Sequence, residues 1–245
     1  MHSTGVPKLR DASISTPHPA DMSGLVTSIL DLILGRACAG CDEPGALLCS
    51  DCARALEPRI RRRLDVDMGD VMDGLRIPVV CAMDYRGPAR QVLYRYKDHR
   101  IRQLAQALGP PLAASIGYAA DITGAPLHRT LLTPMPTRKS SLRRRGFDAT
   151  AQLAKQAHKL CRAAGVQPLL KDVRSAGMNK TAGAWEREQR TIDAFRILHD
   201  HDLPSAPVIV IDDVVTTGAT VKEAVGTLVL AGVQVIAVAT VAGTP

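Results

Sequence analysis

Aromatic residues are scarce in this 245-residue chain: one Trp, two Phe and four Tyr make up 3% of it. Its core must therefore be built from Leu, Val, Ile and Ala, and an apolar content of 46% supplies enough of them. So few rings also leave few platforms on which unpaired bases could stack. Long apolar runs are missing too. No stretch reaches the 18 or more residues of a membrane-spanning helix. Met1 to Asp21 is rich in Ser, Thr, Pro and His and lacks the apolar centre of a secretion signal. Two nucleotide signatures are absent, G-x-x-x-x-G-K-[ST] and G-x-G-x-x-G behind a strand. With the cysteine pattern below, these absences favour the cytoplasm. What is present is positive charge: 31 Lys and Arg against 24 Asp and Glu, a net +7. That balance suits polyphosphates or nucleic acid without choosing between them.

The most informative run is Val208-Ile209-Val210-Ile211-Asp212-Asp213-Val214-Val215-Thr216-Thr217-Gly218-Ala219-Thr220. Four β-branched residues read as a buried strand. Two carboxylates end it, and a Gly-containing loop leads into an amphipathic helix. Free backbone N–H groups and the helix dipole make such a helix start a cradle for phosphate. Gly218 permits close backbone approach or a positive φ. Carboxylates beside a phosphate cradle repel its guest unless something neutral and polar lies between, as a ribose does. The alternative is an ordinary strand–turn–helix with the acids as N-terminal charge. The run resembles the phosphoribosyl-pyrophosphate (PRPP) motif of type I phosphoribosyltransferases. That resemblance implies that Asp212 and Asp213 contact the ribose hydroxyls and that Thr216, Thr217, Gly218, Ala219 and Thr220 hold the 5′-phosphate. Purine-salvage relatives carry Asp where Thr216 stands, which argues against a purine acceptor.

Four of the six cysteines fall as Cys38-x2-Cys41-x7-Cys49-x2-Cys52. Two C-x-x-C turns joined by a loop containing Pro44-Gly45 can close a tetrahedron around structural Zn²⁺. Paired disulfides are the alternative, without a secretion signal to support them; a thioredoxin-like site needs one such pair, not two. Leu25, Val26, Ile29, Leu30, Leu32 and Ile33 ahead of the cysteines have helical spacing. Cys81 and Cys161 read as core thiols.

Arg59, Arg61, Arg62 and Arg63 read as a solvated linker or as phosphate-backbone contacts. From Gly87 a helix is expected with Val92 and Leu93 inward and a row of Arg, Tyr and Lys97 outward. Ile101 to Leu112 reads as a helix stopped at Gly109-Pro110-Pro111, and Leu131 to Pro136 as a strand. Thr137 to Asp148 reads as a basic loop ahead of a helix carrying Leu153, Ala154, Ala157 and Leu160. Such a loop lies where ligands bind in α/β sheets, and its cations suit pyrophosphate. Arg174 to Thr181 has the makeup of a mobile active-site loop. Arg187 and Arg190 either reach a phosphate or belong to a salt-bridged helix face. Val221 to Leu230 and Gln234 to Val241 complete a βαβ unit, which implies a parallel sheet.

The order of zinc cysteines, Tyr85-x-Gly87-x-x-Arg90 with Lys97 downstream, Pro134-x-Pro136, Arg144-Arg145-Gly146-Phe147 and Asp212-Asp213-Val214 onward resembles the ComF family. These are phosphoribosyltransferase-fold proteins linked to competence and DNA uptake. Asp148 stands where that family usually has Asn. Composition reads 1–22 as a disordered tail, followed by a helix and zinc module over 23–60; the resemblance implies that zinc finger and, behind it, a phosphoribosyltransferase-like domain over 76–245, α/β with a mostly parallel sheet flanked by helices. Lys97 and Arg145 match basic positions of that family, and with Arg138 and Arg190 they are the candidates to hold pyrophosphate, with Mg²⁺ between its oxygens. No side chain reads as a general base. Two functions follow: phosphoribosyl transfer from PRPP to an acceptor, or a non-catalytic role with single-stranded DNA or a competence-machinery protein.

Overall fold

The computed structural model describes residues 37–69, 71–174, 194–199 and 201–244. The expected helix at Leu25–Ile33, the tail over 1–22 and the arginines at 187 and 190 lie outside these, as does most of the expected loop ending at Thr181.

The four β-branched residues of the key run are all buried, because their strand is central. It spans Val208–Val215 (β7). Its neighbours are Leu131–Pro134 (β3) on one side and Val235–Gly243 (β8) on the other, both parallel to it. Arg76–Asp84 (β2) lies parallel to β8, and Arg61–Asp67 (β1) closes that edge antiparallel to β2. Gly165–Val166 (β4) adds a short parallel edge beyond β3, giving the order β1-β2-β8-β7-β3-β4. Leu170–Asp172 (β5) and Phe195–Ile197 (β6) form a separate antiparallel ribbon. The stretch read as a linker thus contributes the edge strand β1.

Alternation along β7 builds both faces. Ile209 and Ile211 join the core under the helices Gly87–Lys97 (α2), Ala105–Thr123 (α3) and Ala149–Cys161 (α5). Val208 and Val210 join the core under Ala219–Leu230 (α6). The two remaining helices, Ser50–Ala55 (α1) and Lys139–Arg145 (α4), are short. The expected α/β class, with a mostly parallel sheet flanked by helices, is therefore observed.

Three local expectations are corrected. Gly109-Pro110-Pro111 does not stop a helix: α3 runs through both prolines to Gly124, whose positive φ ends it. Gly109 serves packing instead, since a Cβ there would come 2.6 Å from Gln156 Cγ on α5. The basic stretch after β3 is not a loop: α4 occupies it and ends at Gly146 with φ 75°. Three arginines in its last turn complement the negative end of the helix dipole. Tyr96 is not on an outward row but fully buried. Among the described residues no helix is long and apolar enough to cross a membrane.

Candidate functional site

The chain leaves β3 outward toward β4 and leaves β7 in the opposite direction toward β8. The carboxyl ends of β3 and β7 therefore flank a topological switch point, the crevice where open α/β sheets bind ligands. Pro134 pairs with Ile211, so Asp212 and Asp213 project just past the end of β3. The Asp213 N–H donates to Asp212 Oδ1 at 2.9 Å, and the Val214 N–H to Asp213 Oδ1 at 2.8 Å. Loss of hydration pushes the Asp212 carboxyl up to about 6, against a downward pull from Lys97.

Beyond the acids, Thr216, Thr217 and Thr220 are exposed around Gly218. Gly218 has φ 79° and starts α6 with no side-chain cap, so the first-turn N–H groups of a 12-residue helix face outward. The nearest local acceptor, Thr217 Oγ1, is 3.5 Å from the Ala219 nitrogen. Thr244 pins the loop from below: its hydroxyl donates to the Thr216 carbonyl at 3.1 Å.

Lys97, the last residue of α2, makes an ion pair with Asp213 Oδ2. Both groups are withdrawn from water, with side chains 26% and 3% exposed. Desolvation holds the Lys97 ammonium below its ordinary range; Asp212 raises it, Arg145 lowers it and Asp98 raises it. Arg145 lies alongside, 15% exposed, reaching Asp98 at 3.3 Å. Arg144 reaches the same carboxylate at 3.3 Å. The Arg145 Nε is buried and without a hydrogen-bond partner, a donor left over for an anion. Lys97 and Arg145 are thus brought to the acids. Arg138 is exposed at the opposite end of α4, about 10 Å from Arg145 along the helix axis. Arg190 lies outside the described residues. The Asp148 carboxylate is engaged locally: it caps α5 through the Ala151 N–H and accepts from the Thr137 hydroxyl, both at 2.9 Å.

The four cysteines of the front module gather as the spacing requires. Their Sγ atoms all lie within 4.8 Å of one another, and none is in a disulfide. Cys41 and Cys49 Sγ are 3.7 Å apart, against about 3.8 Å between thiolates arranged tetrahedrally at Zn–S distances near 2.3 Å. Burial raises the Cys38 thiol, but backbone N–H groups, Cys49 and Gly40 among them, bring it down to about 6. Gly40 is required by the geometry: a Cβ would stand 2.5 Å from Cys52 Sγ. The donor set fits a closed Zn²⁺ site. Arg95 docks this knuckle on α2, donating to the Cys38 carbonyl at 3.1 Å and pairing with Asp42.

The organising roles of Arg95, Asp98 and Arg144 were not legible in the sequence, since their partners lie 46 to 57 residues away. The Asp148 cap was legible as an Asp directly ahead of a helix.

A curated relative, DNA utilization protein YhgH of Salmonella typhi, is 31% identical over 205 residues, which span 76% of this chain and 87% of that protein. The chain belongs to the family of DNA utilization protein YhgH. That relative is ComF-like, in agreement with the motifs. No family model matches this YhgH-family chain. Among solved structures it is similar to adenine phosphoribosyltransferase of Saccharomyces cerevisiae, with TM-score 0.37, 12% identity and coverage of 80% of this chain and 89% of that one. It is also similar to UMP synthase of Leishmania donovani, with TM-score 0.32, 15% identity and coverage of 77% and 30%. The fold is given by strand order and register, independently of these two likenesses.

Proposed function

We propose that the switch-point crevice binds a phosphorylated ribose, PRPP or a close relative, in the manner of type I phosphoribosyltransferases. The observation that carries this reading is the succession of an acid pair, its second member buried, and an uncapped helix start at Gly218, with Lys97 and Arg145 gathered by the same acids. Asp212 and Asp213 would accept from the ribose hydroxyls. The N–H groups and hydroxyls of Thr216, Thr217, Gly218, Ala219 and Thr220 would hold the 5′-phosphate. A diphosphate at the anomeric carbon would meet Lys97 and the free Nε of Arg145. Oxygen donors around that diphosphate suit Mg²⁺, which when bound supplies further charge neutralisation. Displacement at the anomeric carbon develops positive charge on the ring and negative charge on the leaving group. The acids hold the ring in place, and Lys97 and Arg145 stabilise the departing charge. The acceptor is unassigned. Zn²⁺ on Cys38, Cys41, Cys49 and Cys52 has all four positions filled by protein and would act structurally.

A second reading takes the printed name of the relative: a role in DNA utilization, with single-stranded DNA or a partner protein as ligand. It is favoured by one surface feature. Tyr94 is 48% exposed, stands edge-on to His99 at 5.1 Å, and lies between exposed Arg90 and Arg100 in the chain, a ring pair on a basic rim able to stack on a base.

Calorimetric titration of PRPP with Mg²⁺ into the wild type and Asp213→Asn, beside salt-dependent binding of single-stranded DNA, tests both. PRPP binding that is lost in the variant supports the first reading. No PRPP signal, with DNA binding indifferent to the substitution, overturns it and leaves the second.

A further inference from the structure

We infer that Lys97 is a specificity-determining residue: it occupies the Asp213 carboxylate that an entering sugar needs, and yields it only to a ribose phosphate carrying an anionic ester at the anomeric carbon. The inference rests on the sugar-phosphate reading above and names the class of ligand within it.

The starting point is how Asp213 is used without ligand. Its Oδ1 accepts from the Val214 N–H, and its Oδ2 faces Lys97. A ribose hydroxyl reaches this carboxylate only if the ammonium moves. Because both partners are withdrawn from water, a neutral hydroxyl is a poor exchange for the ammonium; Asp212 also attracts Lys97, but the entering sugar claims that acid too, so an ammonium displaced from the pair is costly. Lys97 cannot simply retreat into solvent with its helix. The preceding residue, Tyr96, is fully buried, donates to the Ala149 carbonyl at 2.8 Å, and packs edge-on to Phe147 at 5.6 Å. Only the flexible four-carbon stem of Lys97 is able to swing.

The surroundings fix where it can swing to. Arg145 is close enough to repel Lys97, and its buried Nε lacks a partner. Asp98 already receives both Arg144 and Arg145. Moving the ammonium toward Arg145 is therefore unfavourable unless a new anion arrives between them. A diphosphate on C1 supplies that anion, accepting from Lys97 and from Arg145 Nε together. Ribose 5-phosphate, with a neutral hydroxyl at C1, supplies none. For the diphosphate ester Lys97 is a partner; for the plain sugar phosphate it is only a competitor.

The test is calorimetry at pH 8 with Mg²⁺, titrating PRPP and ribose 5-phosphate into the zinc-loaded full chain as wild type, Lys97→Met and Lys97→Arg. The wild type should prefer PRPP by about a hundredfold or more. In Lys97→Met that preference should fall below about tenfold, with PRPP weakened and ribose 5-phosphate strengthened, while Lys97→Arg restores most of it. An unchanged ratio in Lys97→Met, or equal weakening of both ligands, overturns the inference while PRPP binding to the wild type leaves the sugar-phosphate reading standing. A wild type that binds neither ligand overturns both.

Discussion

Replacing Asp212 by Asn should stabilise the ligand-free protein at neutral pH, although it removes a residue proposed to hold the sugar. The carboxyl is raised from its usual 3.8 to about 6 because the fold strips water from it, and Lys97 offsets this only in part. A proton is therefore held more tightly in the folded chain than in the unfolded one. The stability this contributes is fully present below 3.8 and is lost as pH rises through 6. The rise to about 6 makes the ionised carboxylate a burden of about 3 kcal/mol at pH 7.5. Asn carries no charge to desolvate and keeps an oxygen for the Asp213 N–H, now 2.9 Å away. Urea unfolding of the zinc-loaded wild type and Asp212→Asn, compared pairwise from pH 7.5 down to 4.5, measures the effect. Ionisations common to both chains, those of the cysteine module included, cancel in the difference. The variant should lead by about 3 kcal/mol at pH 7.5, some 6–12 °C in Tm for a chain of this size, narrowing to about 1 kcal/mol at pH 4.5. A variant no more stable than the wild type at pH 7.5, or a lead that does not change with pH, would refute the reasoning.

Two further substitutions probe the frame around the site. Gly40→Ala places a Cβ 2.5 Å from Cys52 Sγ and should drop the zinc content measured by metal analysis well below the one ion per chain expected of the wild type; full retention would show that the knuckle adjusts. Tyr96→Phe removes the 2.8 Å bond to the Ala149 carbonyl but keeps the ring against Phe147, so urea unfolding should show a loss of about 1 kcal/mol, and a loss several times larger would mean the hydroxyl organises more than this one contact.

What was legible in the sequence was what is local. The β7 strand, the acids, Gly218 and the start of α6 are contiguous, and each residue type states its role: β-branched for a buried strand, Gly for a positive φ, Thr for an exposed donor. The cysteines were legible because metal geometry constrains their spacing. The errors share one cause, a tertiary contact overriding a local signal. Pro110 and Pro111 announce a stop, yet α3 continues because its apolar face packs on β2, β8 and α5, and Gly109 admits the close approach of Gln156. The arginines of α4 suggest a basic loop, yet the stretch is helical and Asp98 collects two of them from 46 and 47 residues away. Lys97 was identified as cationic and near the anion site, but pattern could not show that it faces Asp213 when no ligand is bound.

The end of α2 links the cysteine module to the proposed sugar site. Successive side chains leave a helix about 100° apart, so four in a row point all the way round it. At residues 95–98 each direction meets a different element. Arg95 holds the knuckle at Cys38 and Asp42. Tyr96 enters the core against Ala149 and Phe147. Lys97 reaches Asp213, and Asp98 gathers the arginines of α4. None of the four can shift without disturbing the others' partners, so the ammonium facing the acids is placed partly by the knuckle. The four cysteines do not line the crevice, yet by fixing the carbonyl that Arg95 grips they hold one side of the turn from which Lys97 extends. A metal held by those cysteines would thereby help set the position of a charge in the proposed binding site.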